Sequence, residues 1–191
     1  MLTVIVTGMI GSGKSAVCAL LSKRGIPIYD SDSRTKALYD SIPGLKDRLE
    51  AELGVPFSGL AKLIFSDADA REKLEAIVYP LVLDDFIAWR NAQSGVPFVV
   101  LESAVILSKP LFDGLADAVV AVTAPEEIRL ERLIARGLTE EDARRRISAQ
   151  TLDLSKADVI IENSGSLAAL SRRVSRVFLS KNSYICKLEN K

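Results

Sequence analysis

The sequence predicts an α/β fold, a doubly wound five-stranded parallel sheet with a helical insertion and a helical flap. Three observations predict it. Five short apolar runs alternate along the chain with segments of helical periodicity, as in a parallel sheet covered on both faces. A glycine-rich turn joins the first run to the first helix. Between the second and third runs the chain stays helical from Arg34 to Ala92, far longer than an ordinary crossover. At 191 residues the chain has the size of one domain with a small inserted subdomain.

The first strand is Leu2-Thr3-Val4-Ile5-Val6-Thr7, and the first helix continues through Ala16-Val17-Cys18-Ala19-Leu20-Leu21. Between them stands Gly8-Met9-Ile10-Gly11-Ser12-Gly13-Lys14-Ser15, the phosphate-loop pattern Gly-x4-Gly-Lys-Ser/Thr in its strand–loop–helix setting. Glycine lets the backbone turn its N–H groups onto phosphate oxygens, and the helix start adds the positive end of its dipole. The nucleotide-binding set is therefore Gly11, Ser12, Gly13, Lys14, Ser15 and Ala16. Lys14 is suited to the β- and γ-phosphates of a nucleotide, and the Ser15 hydroxyl to Mg²⁺. A glycine-rich turn with an incidental lysine is the bland alternative, and the surrounding strand and helix weigh against it.

Lys23-Arg24-Gly25 stops the first helix. Ile26-Pro27-Ile28-Tyr29 is a short second strand ending at Asp30-Ser31-Asp32. Ligands of parallel sheets sit beyond the carboxyl ends of strands. One member of this trio is expected to cap the next helix and one carboxylate to face substrate. In the helical interval Leu60, Leu63 and Ile64 share a face, and Leu74, Ile77, Val78 and Leu81 continue the spacing. A subdomain that grips a second substrate is the economical reading, and Trp89 reads as packing.

Pro97-Phe98-Val99-Val100-Leu101 is a central strand ending at Glu102-Ser103. Glu102 suits either a cation or substrate role, or capping of the next segment. Ala118–Val122 is the fourth strand, and Pro125-Glu126-Glu127 starts a helix. That helix and the next carry Arg129, Arg132, Arg136, Arg144, Arg145 and Arg146, interrupted by a stop at Gly137 and a capping start at Thr139. Such arginines are either a solvated face paired with acids or a lid over phosphates. In a polyphosphate-binding chain the lid is the favoured reading. Ala157–Ile161 is the fifth strand, Glu162-Asn163-Ser164-Gly165 a loop, and Leu167 to about Leu179 a final amphipathic helix. From Lys181 onward the chain reads as a polar, frayed tail.

The formal charge is zero, from 25 basic and 25 acidic residues, so no global field recruits nucleic acid or an anionic membrane. No apolar run approaches the ~20 residues of a membrane span, and the chain opens on a strand instead of a signal peptide. Cys18 and Cys186 have no metal or disulfide spacing. A cytoplasmic enzyme is expected. The chain has no histidine, which excludes a catalytic triad and any histidine–zinc site.

The chain resembles the dephospho-coenzyme A kinases over nearly its whole length. The matching pieces are Thr7 through Ser15, Gly25 through Asp32, Arg132-x3-Arg136, Arg146-x3-Gln150, Lys156-Ala157-Asp158 and Asn163-Ser164-Gly165. The resemblance implies a P-loop NTPase kinase core over 1–33, 96–125 and 151–181. To it are added a CoA-binding helical subdomain over about 34–95 and a lid over about 126–150. It implies ATP and Mg²⁺ as cofactors and dephospho-CoA as the partner, phosphorylated at its ribose 3′-hydroxyl. Asp32 falls on the family's catalytic aspartate, with Lys14 and Arg136 beside it in the catalytic set. Arg132, Arg136 and Arg146 fall on the family's lid positions and Asn163 where the nucleotide base is held, so Arg132, Arg146 and Asn163 join the nucleotide-binding set. Two departures lie on the acceptor side. Tyr79-Pro80 stands where the family often has His-Pro, and Ala104-Val105-Ile106-Leu107-Ser108 where many members have Pro-Leu-Leu-Phe-Glu.

The alternatives are another P-loop nucleotide or small-molecule kinase, a GTP-binding switch, and a non-catalytic binder. The switch needs an Asn-Lys-x-Asp base reader, which the sequence lacks.

Overall fold

The computed structural model describes residues 1–189, and it divides into two compact units. One comprises Met1–Tyr29 and the chain from Gly95 onward; the other is Asp30–Ser94, where the sequence suggested about 34–95.

The first unit is built on strands β1 (Leu2–Thr7), β3 (Phe98–Glu102), β4 (Ala118–Thr123) and β5 (Val159–Glu162), with β2 (Ile28–Asp30) completing the sheet in the order β2-β3-β1-β4-β5. β1 is central and runs parallel to both neighbours, Val4 opposite Val100 on one side and Ala118 on the other. β5 continues the sheet in parallel beyond β4, with Val120 opposite Val159. Burial on both faces explains the unbroken apolar runs: Val4, Val99, Val100 and Val120 are fully buried. On one face α1 (Lys14–Ser22) contributes Val17, Cys18 and Leu21 to the core, and α8 (Leu167–Val174) contributes Leu170 and Val174.

Two local differences from the sequence reading concern the carboxyl end of the chain. The last amphipathic helix is not uniform. After α8 the backbone widens into a π-type turn over Ser175–Leu179, which delivers Phe178 to within 6.0 Å of the Phe98 ring. The tail up to residue 189 is also not frayed: α9 (Tyr184–Glu189) buries Ile185 at 1% exposure in the same core. Burying one such side chain contributes about 2 kcal/mol, enough to anchor a short helix of otherwise polar sequence. The last two residues of that expectation, Asn190 and Lys191, lie outside the described residues.

α6 (Glu126–Ala135) and α7 (Glu140–Ser148) belong to the same unit. Gly137 turns the chain at φ 94°, and the Thr139 hydroxyl caps α7 by accepting from the Asp142 N–H at 3.2 Å. The pair is held by its own small core of Leu133, Ala143 and Ile147, joined by Ile10 of the phosphate loop.

The second unit is helical: α2 (Ser31–Ser41), α3 (Leu45–Leu53) and α4 (Phe57–Ser66) each pack on the long α5 (Ala68–Asn91). Ala70, Leu74, Val78, Val82 and Phe86 are the buried residues of α5, one every fourth position. Pro80 lies inside this helix, where its ring removes one main-chain donor without ending the element. Trp89 stacks at a tilt on Phe86, centroids 6.0 Å apart, in keeping with a packing role.

Candidate active site

The phosphate loop is held from behind by residues far away in sequence. Its glycines are needed for this as much as for phosphate. At Gly11, φ is 78° and a Cβ would lie 2.9 Å from the Arg129 carbonyl oxygen, so only glycine lets α6 come this close. At Gly13, φ is 101° and a Cβ would lie 2.1 Å from the Asn163 side-chain nitrogen. That amide donates to the Ser12 carbonyl at 2.9 Å, and Asn163 is buried at 6% exposure. Arg132, half-buried on α6, donates through one guanidinium nitrogen to the Gly11 and Ser12 carbonyls at 3.1 and 3.2 Å. Its other terminal nitrogen donates to the Asn163 carbonyl at 2.9 Å. The Gln150 side-chain oxygen, just past α7, accepts from the Ile10 N–H at 2.6 Å. Three predicted residues, Ser12, Arg132 and Asn163, thus meet at one loop.

Lys14 and Ser15 open α1, with Ala16 next; the Ala16 N–H donates to the Gly13 carbonyl at 3.1 Å. The Lys14 ammonium donates to the Gly8 carbonyl at 2.7 Å, folding the side chain back along the loop. The Ser15 hydroxyl donates to the Glu102 carboxylate at 2.9 Å. The carboxylate at the end of β3 therefore faces the phosphate loop. A hydroxyl and a carboxylate together are hard oxygen donors of the kind that suits Mg²⁺. Among the described residues no group of three His, Cys, Asp or Glu is gathered for a metal.

The six arginines divide into three pairs by environment. Arg144 bonds Glu140 at 2.7 Å and Arg145 bonds Asp142, so these two form the solvated face. Arg129 and Arg132 lie on the phosphate loop. Arg136 and Arg146 are exposed, with neither an ion pair nor a hydrogen bond from their side chains among the described residues.

In the helical unit the Asp30-Ser31-Asp32 trio separates cleanly. Asp30 is the cap of α2: its carboxylate accepts from the Asp32 and Ser33 N–H groups at 3.1 and 3.3 Å and from the Ser33 hydroxyl at 2.7 Å. Asp32 is exposed, and its carboxylate has no hydrogen bond or ion pair among the described residues. Arg34 binds both oxygens of Asp85 at 2.5 and 2.8 Å and so ties the start of α2 to α5. Tyr79, half-buried on α5, donates to Glu75 at 3.0 Å. Burial first, then the Glu75 charge and this bond, with smaller contributions from Tyr39 and Asp32, hold its phenol well above the usual value.

The dephospho-CoA kinase family model matches residues 2–169. The chain belongs to the dephospho-CoA kinase family. A dephospho-CoA kinase of Porphyromonas gingivalis is 40% identical over 166 residues, covering 82% of this chain and 81% of that protein. Among solved structures, TT1252 from Thermus thermophilus has a TM-score of 0.76 at 35% identity, covering 91% of this chain and 94% of its own. Dephospho-CoA kinase from Campylobacter jejuni, at 22% identity and a TM-score of 0.61 over 92% and 94% of the two chains, shares the fold. As a dephospho-CoA kinase family member, this enzyme carries the P-loop kinase architecture, and ATP is its phosphate donor. Among its described residues no helix is long and apolar enough to cross a membrane.

Sequence reasoning passed over Gln150 as a loop anchor and did not separate Arg129 from its neighbours. The motif Arg146-x3-Gln150 marks the first without naming its partner, which is 140 positions away. For the second, spacing of three and four places Arg129, Arg132 and Arg136 on one helix face without revealing what covers each.

Proposed function

We propose that this protein transfers the γ-phosphoryl group of ATP to the ribose 3′-hydroxyl of dephospho-CoA, releasing CoA and ADP. The observation that carries the reading is the braced phosphate loop with the Ser15–Glu102 pair at its mouth, in a chain of this family. Lys14 and the N–H groups from Gly11 to Ala16 hold the β- and γ-phosphates. Ser15 and Glu102 would hold Mg²⁺, which when bound neutralises charge on the phosphate oxygens. Asp32 accepts the proton of the 3′-hydroxyl as its oxygen bonds to phosphorus and the bond to ADP breaks. A carboxylate without a hydrogen bond or ion pair among the described residues has its lone pairs available for that proton. Arg136 and Arg146, whose guanidinium groups are likewise uncommitted, form the lid surface that balances charge on the transferring group. Arg132 and Asn163 keep the loop in its phosphate-holding shape.

The test is mass analysis of products after incubation with ATP, Mg²⁺ and dephospho-CoA, with a nucleoside monophosphate panel alongside. CoA formed in step with ADP is the expected result. ADP formed only with another acceptor would overturn the substrate assignment, and no acceptor-dependent ADP would overturn the kinase assignment.

A further inference from the structure

Arg129 is 5% exposed, an unusual place for an arginine. Its backbone packs on Gly11, where glycine alone permits the approach. One guanidinium nitrogen points to the Met9 sulfur at 3.7 Å, a weak acceptor, and the Nε has no hydrogen-bond partner among the described residues. No carboxylate of a described residue forms an ion pair with it. A charge buried without a counter-charge is costly to a fold, and such charges are normally paired. Met9 and Gly11 both belong to the phosphate loop, so this unbalanced charge sits directly behind that loop. The Ser12 hydroxyl, in a residue 1% exposed in the same loop, also has no hydrogen-bond partner among the described residues.

We propose that Arg129 is a positioning residue whose buried charge is balanced by the nucleotide's phosphates, acting through the loop backbone. Its charge makes the loop's field positive before the ligand arrives, and the phosphate anion completes the pair. Stability is given up in the nucleotide-free protein and recovered as affinity for polyphosphate. The inference rests on the loop binding a nucleotide, and the experiment separates the two.

Arg129→Met keeps the length and apolar stem of the side chain and removes its charge; Arg129→Lys keeps a charge on a similar stem. Thermal midpoints are measured on nucleotide-free protein, and ADP affinity by calorimetry. The expected result is an R129M midpoint equal to or above the wild type, with ADP affinity lower by about tenfold or more. R129K recovers most of that affinity. An R129M protein that melts earlier or fails to fold overturns the proposal, because the arginine is then structural. Unchanged ADP affinity in R129M also overturns it, and leaves the phosphate-loop reading intact. Wild-type protein that does not bind ADP overturns that reading, and this proposal with it.

Discussion

Replacing Gly13 by alanine tests the clamp that Asn163 places on the phosphate loop. The new Cβ would stand 2.1 Å from the Asn163 amide nitrogen, well inside contact distance, so that side chain must leave. Departure breaks its 2.9 Å bond to the Ser12 carbonyl. Because that carbonyl keeps the Arg132 guanidinium at 3.2 Å, the loss lies near the low end for a buried bond, about 1 kcal/mol. The backbone adds about 1–2 kcal/mol, since φ 101° is left-handed and unfavourable with a side chain. Alanine returns roughly 0.5–1 kcal/mol by restricting the unfolded chain. The net destabilisation expected is about 2 kcal/mol. Asn163→Ala removes the same bond and the clashing amide, with the Arg132 terminal nitrogen at an ordinary 3.7 Å from the new Cβ. The double variant should therefore cost about 1 kcal/mol less than the sum of the singles. Urea denaturation of the four proteins measures this coupling. Costs that add to within ~0.3 kcal/mol would refute the clamp.

Two further predictions concern the helical unit. Asp32→Ala should reduce turnover by more than ~100-fold while ATP affinity and thermal midpoint stay close to wild type. The exposed carboxylate supports no other described residue, so near-normal turnover would remove its role as base. For Tyr79 the folded-state pKa is raised above the ordinary phenol value of about 10. The stability it contributes is complete below that pH and lost as pH rises from there toward the folded value. Thermal midpoints of Tyr79→Phe should fall less steeply above pH ~10 than those of the wild type. Equal slopes would show that burial and the Glu75 contact do not raise this phenol.

How much of this was legible beforehand depended on the range of the physics involved. The phosphate loop, the Thr139 cap and the apolar strands are written in neighbouring residues, because turn geometry, capping and burial patterns act over a few positions. The choice between Asp30 and Asp32 is local too, yet both carboxylates can cap a helix, and only the backbone path selects Asp30. The arginines show the limit of periodicity. Spacing of three and four puts Arg129, Arg132 and Arg136 on one helix face, but it does not say what covers each of them. Arg129 is buried, Arg132 bonded and Arg136 exposed.

The sequence by itself determined the class of sheet, the nucleotide-binding loop and the family. Each rests on short-range spacing that no distant contact can rewrite. Only the tertiary structure decided that Asn163 clamps a carbonyl 151 positions away, that Ser15 meets Glu102, and that a polar-looking tail buries Ile185. These pairings depend on which surfaces the sheet order brings together. That order is a property of the whole chain's burial, and no single segment carries it.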